Sequence, residues 1–196
     1  STRSRRRTTS RRWPPTSTSP RRSWPERADE RKLTTLRVLG VDPGSRITGY
    51  GIVERSGRSL RCVDCGTIAG GNGALPERLV AVYDGLQAVV ETYHPNAVVI
   101  ENAFLGRNVK AMAVMSQTRG VLVLAARRAE LPVFEYAPRE IKRAVVGTGR
   151  ASKAQIAYMV GSLLGLTERG LPRDATDSLA AALCHLHRAA PNGRAG

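Results

Sequence analysis

The chain has 196 residues, a length that suits one domain or one domain with a tail. Apolar residues make up 41% and aromatics only 5%, so any core is aliphatic and rich in alanine. With 31 Lys and Arg against 16 Asp and Glu, the net charge is +15, which favours a polyanionic partner, nucleic acid before membrane. Three cysteines, at 62, 65 and 184, argue against a disulfide framework and fit a reducing compartment. No apolar stretch is expected to reach the ~18 residues of a membrane helix, and residues 1–35 lack the apolar run of a secretory signal.

Residues 1–35 hold eleven basic and three acidic residues, a net +8. They consist largely of Arg, Ser, Thr and Pro, with Trp13 and Trp24 isolated, a composition expected to be disordered. The segment reads as a solvated basic extension or a wrongly assigned start. A DNA-binding arm and an organellar transit peptide are the alternatives. No Met precedes Met112, so the start cannot be read off. Residues 36–196 still carry +7, so the expected domain, 36–190, is basic by itself; 191–196 read as a flexible end.

Order is predicted from about Thr35. Val38-Leu39-Gly40-Val41 is a short apolar run ending in Asp42. The turn Pro43-Gly44-Ser45-Arg46 leads to strands over Ile47–Glu54 and Ser59–Ile68, a meander. Leu79, Val82, Tyr83, Leu86, Val89, Val90 and Tyr93 then recur at three- and four-residue steps, predicting a helix over 75–94. Ala97–Glu101 is an apolar strand ending in an acid. A helix over 108–129, a strand over Val133–Tyr136 and helices over 138–146, 152–165 and 173–189 complete the chain. This order, βββ-α-β-α-β-α-α-α, predicts a mixed α/β sheet of five strands flanked by helices.

Asp42 and Glu101 both close buried strands. If the crossover places those strands side by side, their ends lie ~5 Å apart. Two carboxylates that close repel, which raises one pKa, and a divalent cation removes the conflict. Oxygen donors without His or Cys nearby favour Mg²⁺ or Mn²⁺ over zinc. Asp174 and Asp177 share one helix face about a turn apart. Each acid also has an ordinary reading: a turn residue at 42, a solvated strand end at 101, first-turn acids at 174 and 177 that favour the helix dipole. Four acids in a basic chain are better explained together, by phosphodiester cleavage with two Mg²⁺ ions ~4 Å apart.

The motifs carry a resemblance. Val41-Asp42-Pro43-Gly44-Ser45-Arg46-Ile47-Thr48-Gly49-Tyr50-Gly51 resembles the opening strand and turn of RuvC-type Holliday junction resolvases. Ile100-Glu101-Asn102-Ala103-Phe104 with Asn108, then Leu131–Tyr136, Val145–Gly149 and Asp174–Ala180, are similar to that family's later stretches, in order. The resemblance implies a ribonuclease H-like fold and a homodimer that resolves four-way DNA junctions in recombination and repair, leaving 5′-phosphate products. It implies two Mg²⁺ ions per site, with Mn²⁺ able to substitute, held by Asp42, Glu101, Asp174 and Asp177 as catalytic residues. It places Phe104, Arg107, Asn108, Lys142 and Lys153 against DNA, with Phe104 packing on unstacked bases and both lysines near the scissile phosphate. It further implies the RuvA–RuvB branch-migration complex as a partner and a bacterial cytoplasmic location. Asn102 and Ala103 stand where Gln and Val are expected more often, and Leu105-Gly106-Arg107 varies the loop. Lys142 has a plain reading as a solvated helix lysine, Phe104 as core. Lys153, a cation at a helix start, fits poorly there and hints at another role.

Cys62 and Cys65 form a C-x-x-C that invites a zinc reading with Cys184, His185 or His187. Residues three apart in a regular strand point to opposite faces, so both thiols are not expected to reach one ion. Rival functions are an actin-like kinase, which needs two lobes, a related nuclease acting on RNA, and a junction-binding protein that does not cut.

Overall fold

The computed structural model describes residues 35–102, 108–166 and 173–189; the side chains of Arg173 and Asp174 are outside this description. The expectations for the basic extension, for 191–196, and for Phe104 and Arg107 therefore lie outside the described residues. All described residues fall within one compact unit, Lys32–Gly196.

Five strands form one sheet: β1 (Leu36–Asp42), β2 (Ile47–Ser56), β3 (Ser59–Ala69), β4 (Ala97–Glu101) and β5 (Val133–Tyr136). Their order is β3-β2-β1-β4-β5, with β1 antiparallel to β2 and parallel to β4. The helices are α1 (Leu75–Tyr93), α2 (Val109–Arg128), α3 (Pro138–Val146), α4 (Lys153–Leu164) and α5 (Arg173–Arg188). The element order and the mixed five-stranded sheet agree with the sequence, with boundaries shifted by two residues at most.

The period of two along β1 sorts its side chains to opposite faces. Leu39 and Val41 join Val98 and Ile100 beneath α1 and α2, with Leu86 and Leu122. Val38 joins Val99 on the other face, beneath α3, α4 and α5. Gly40 and Asp42 continue the Val38 face, and Glu101 continues the Val99 face. The sheet is thus the middle of three layers, and both strand-end acids belong to the face that α5 covers.

That contact is unusually close because Gly40 has no side chain. A Cβ there would lie 1.9 Å from the Ser178 carbonyl oxygen and 2.9 Å from the Ala182 nitrogen. The Leu179 side chain rests over Gly51 on the neighbouring strand in the same way, 2.7 Å from where its Cβ would be. At the far end of α5, His185 is pinned to β5: its ring stacks 4.2 Å from Phe134 and its Nδ1 lies 2.9 Å from the Tyr136 hydroxyl.

Two details differ from the sequence expectation. Val53 pairs with Cys62 while Ile52 pairs with Asp64, so Val63 is an extra residue in β3. This β-bulge resets the alternation. Cys62 and Cys65 consequently pack against the same core beneath α4 and α5 and hydrogen-bond to each other. The premise that they face opposite sides is corrected. Burial, then the neighbouring Cys65, pushes the Cys62 thiol up to about 12, which leaves it a thiol at neutral pH. On the other face of the bulge, Asp64 accepts hydrogen bonds from the hydroxyls of Tyr50 (2.7 Å) and Tyr93 (2.6 Å).

The second difference concerns α2. By length and mean composition it is apolar enough to cross a bilayer, with a mean hydropathy of 1.2, although no unbroken apolar run of that length exists in the sequence. Thr118, Leu122, Ala125 and Ala126 are buried against the domain. Val109 (77%), Met112, Met115 and Leu124 (55%) are exposed along the rest of the helix.

Candidate active site

The sheet brings the first two acids together. The β1–β4 ladder pairs Val41 with Ile100, and Asp42 and Glu101 are the next residues on each strand. Neighbouring strands lie about 4.8 Å apart, so the two carboxylates leave the same edge of the sheet side by side. The third acid comes from α5. Ser178 touches the backbone of β1 at Gly40, so Asp177, one residue earlier, stands beside the end of that strand. Asp174 occupies the first turn of the same helix, and its side chain is among those not described.

The charges report this convergence. Burial raises the Glu101 carboxyl to about 7, and the negative charges of Asp42 and then Asp177 add to the rise. Lys153 and Lys142 oppose it, so both lysines are near enough to be felt. Lys153 starts α4, which Ser152 and Gln155 cap by exchanging hydrogen bonds (3.2 and 2.8 Å). A lysine there opposes the helix dipole. Its ammonium instead reaches Asp177, at 3.3 Å, and this pairing, followed by Asp42 and Glu101 at longer range, raises its pKa. The misfit seen in the sequence is thus matched by a partner in the fold. Lys153 is 87% exposed, so the pair contributes little to stability.

Lys142 lies on α3 between the buried Ile141 and Val145, half-buried, its helix started by Pro138 and by Glu140 accepting from the Ala137 N–H at 3.0 Å. Asn108 is the N-cap of α2, its side chain accepting from the Ala111 N–H at 3.2 Å. Its local role is therefore helix initiation. Phe104 and Arg107 belong to the segment between β4 and α2 that is not described.

The turn after Asp42 is braced. Thr48 donates to the Gly44 carbonyl at 2.6 Å, and the Gly70 N–H donates to the Arg46 carbonyl at 2.8 Å. Sequence reasoning did not single out Gly40, although a glycine inside an apolar strand signals a close backbone approach. It also passed over Arg46, Arg78 and Lys110, which line a cavity of about 400 Å³ at this edge of the sheet.

The donor set is made of oxygens and suits a hard cation. Among the described residues, no three acidic side chains converge tightly enough to enclose an ion by themselves. The mutual repulsion of Asp42, Glu101 and Asp177 is what a divalent cation would relieve, and in that respect the residues fit one.

Residues 38–185 match the family model "Crossover junction endodeoxyribonuclease RuvC". The chain is 49% identical over 153 residues to a crossover junction endodeoxyribonuclease RuvC of Alkalilimnicola ehrlichii, covering 78% of this chain and 92% of that protein. It is 46% identical, also over 153 residues, to the one from Pelotomaculum thermopropionicum, covering 78% and 93%. Among solved structures, Thermus thermophilus RuvC in complex with a Holliday junction substrate superposes with a TM-score of 0.74 at 31% identity, covering 79% and 94%. A yeast mitochondrial Holliday junction resolvase shares the fold, with a TM-score of 0.58 at 14% identity over 78% of each chain. With the ribonuclease H-like sheet, the acids at its edge and these matches in agreement, the chain belongs to the crossover junction endodeoxyribonuclease RuvC family of metal-dependent nucleases.

Proposed function

We propose that this chain cuts four-way DNA junctions by Mg²⁺-dependent hydrolysis, with Asp42, Glu101, Asp174 and Asp177 as the catalytic acids. The observation that carries the reading is the placement of the Glu101 carboxyl beside Asp42 at the ends of paired strands, with Asp177 brought to the same edge by the docking of α5 on Gly40. Asp42 and Glu101 would hold one Mg²⁺, and Asp42 with Asp174 and Asp177 a second, with Mn²⁺ able to substitute. Bound there, the ions would make the attacking water more acidic and stabilise the departing 3′ oxygen. Lys142 and Lys153 would hold the scissile phosphate, and the products would be a 5′-phosphate and a 3′-hydroxyl. Incubating the protein with synthetic four-way junctions, duplex DNA and RNA–DNA hybrid, with Mg²⁺ or EDTA, tests this. Mg²⁺-dependent cutting confined to junctions is expected; cutting of the hybrid alone would favour the rival nuclease acting on RNA.

Two symmetric nicks call for two sites related by a two-fold axis, hence a homodimer. The exposed side of α2 supports this, since a helix covering a sheet needs only one apolar stripe. Leu122 is fully buried and Leu124 is 55% exposed, which decides which substitution probes the interface. Leu124→Glu is expected to leave a folded monomer that binds junctions weakly and makes no paired nicks. Sedimentation at micromolar concentration checks it; a wild-type protein that stays monomeric, free and on a junction, defeats the dimer. A dimer delivered to junctions by the RuvA–RuvB branch-migration complex, in a bacterial cytoplasm, completes the reading.

The same carboxyl predicts a pH dependence. Glu101 is raised from 4.5 to about 7 in the fold, so between those values the folded chain holds a proton that the unfolded chain has released. Its contribution to metal-free stability is therefore lost as pH rises from about 4.5 to about 7. Mg²⁺ competes with that proton, so the rise in melting temperature on adding Mg²⁺ should be larger at pH 8 than at pH 6. In Glu101→Gln the difference between the two pH values should shrink. An unchanged difference would mean that Glu101 does not face the ion.

A further inference from the structure

We propose that Arg46, Arg78 and Lys110 form a second phosphate-holding subsite for the substrate DNA, on the face of the sheet opposite Lys142 and Lys153. The three cations come from three elements: the turn after β1, the first turn of α1 and the first turn of α2. With Ser45 they line the cavity of about 400 Å³, whose remaining wall is the Ala111, Val114 and Met115 side of α2.

Among the described residues, the hydrogen-bond partners of Arg46 and Arg78 are neutral. Arg78 donates from Nη1 to the Ser45 hydroxyl at 3.0 Å, and its buried Nε has no hydrogen-bond partner. Arg46 makes a long hydrogen bond, 3.4 Å, to the neutral Asn72 amide. Elsewhere Arg37, Arg61, Arg119 and Arg188 are each paired with a glutamate. Among the described residues no ion pair involves Arg46, Arg78 or Lys110. A buried guanidinium N–H without an acceptor is costly, and an anionic oxygen both satisfies and strengthens the bond.

Position turns this cluster into a DNA contact. Ser45 stands three residues beyond Asp42, in the turn braced by Thr48 and Gly70, so the subsite keeps a fixed place relative to the acids. A strand crossing the edge of the sheet would meet Lys142 and Lys153 on one side and these three cations on the other. The acids between them repel phosphate, and cations on both flanks draw the backbone across that edge and fix its register.

The inference rests on the reading of the chain as a junction nuclease. It is tested with the full chain and a labelled four-way junction in EDTA, measuring affinity across a salt series. Arg46→Gln/Lys110→Gln is the main variant, because both side chains are exposed and their loss spares the fold. Arg78→Gln is the second, and Arg58→Gln, on the exposed β2–β3 turn, is the charge control. The double variant is expected to bind roughly tenfold more weakly, with a slope of log affinity against log salt shallower by about 1–2; Arg78→Gln should flatten it by about 1. Arg58→Gln should keep the wild-type slope. The inference is overturned if the double variant keeps wild-type affinity and slope, or if Arg58→Gln flattens the slope as much. A wild-type protein that neither binds nor cuts junctions overturns the nuclease reading instead.

Discussion

Asp42→Asn is expected to abolish junction cutting, by more than about a hundredfold, while junction binding and the fold persist. Removing an outer partner of a metal ligand already costs 10- to 100-fold, and Asp42 is placed to be a ligand itself. Asn keeps the shape of the side chain, so the turn to Arg46 and the β1–β4 ladder have no reason to move. A second readout separates lost charge from lost structure. Asp42 is the largest charged contributor to the raised Glu101 carboxyl. Without it the Glu101 pKa should fall, and the metal-free variant should lose less stability than wild type as pH rises towards 8. Single-turnover cleavage with Mg²⁺ and melting at pH 6 and 8 measure both effects. Cutting at a near wild-type rate would remove Asp42 from the chemistry; lost cutting with a collapsed melting temperature would make its role structural.

The other large effect should come from a residue with no chemistry. Gly40→Ala would place a carbon 1.9 Å from the Ser178 carbonyl oxygen, and a backbone atom cannot swing aside as a side chain does. Helix α5 must lift from β1, at a cost of about 3 kcal/mol or more, the upper range for overpacking. For a domain of this size that is on the order of 10 °C in melting temperature. Cutting should fall further than stability, because α5 carries Asp174 and Asp177 and a shift of ~1 Å can cost ~100-fold in rate. Gly120→Ala is the contrast. Nothing lies within 4 Å of a Cβ there, so alanine should stabilise α2 by up to ~1 kcal/mol. A Gly40→Ala protein that melts within two degrees of wild type and cuts normally would mean α5 does not sit this close.

These two positions also mark what could be read from the chain. Asp42 and Glu101 were legible because each ends a run of apolar residues, which places it at the end of a buried strand. The place of Asp177 beside the strand end was legible from its helical position, whereas the side chain of Asp174 lies outside the described residues. Lys153 was visible only as a small misfit, a cation at a helix start, whose explanation lies 24 residues away at Asp177. The bulge at Val63 carries no local signal, since neither Gly nor Pro marks it, so the facing of Cys62 and Cys65 was misjudged. Which side of α2 remains exposed could not be read from Val121-Leu122-Val123-Leu124, apolar on every side; packing on the sheet decided it. Arg46, Arg78 and Lys110 are 32 residues apart at each step and meet only in the fold.

The dependence of the site on α5 has a consequence in time. Asp42 and Asp177 are 135 residues apart in the chain. At roughly 5–20 residues per second, a ribosome releases the second on the order of ten seconds after the first. During that interval the meander and β4 can form, bringing Asp42 beside Glu101, but the helix bearing the other two acids does not yet exist. On the proposed reading, a nascent chain holds half a site during that interval. The acids of α5 join Asp42 and Glu101 only when that helix docks on Gly40, the same step that completes the core on its face of the sheet.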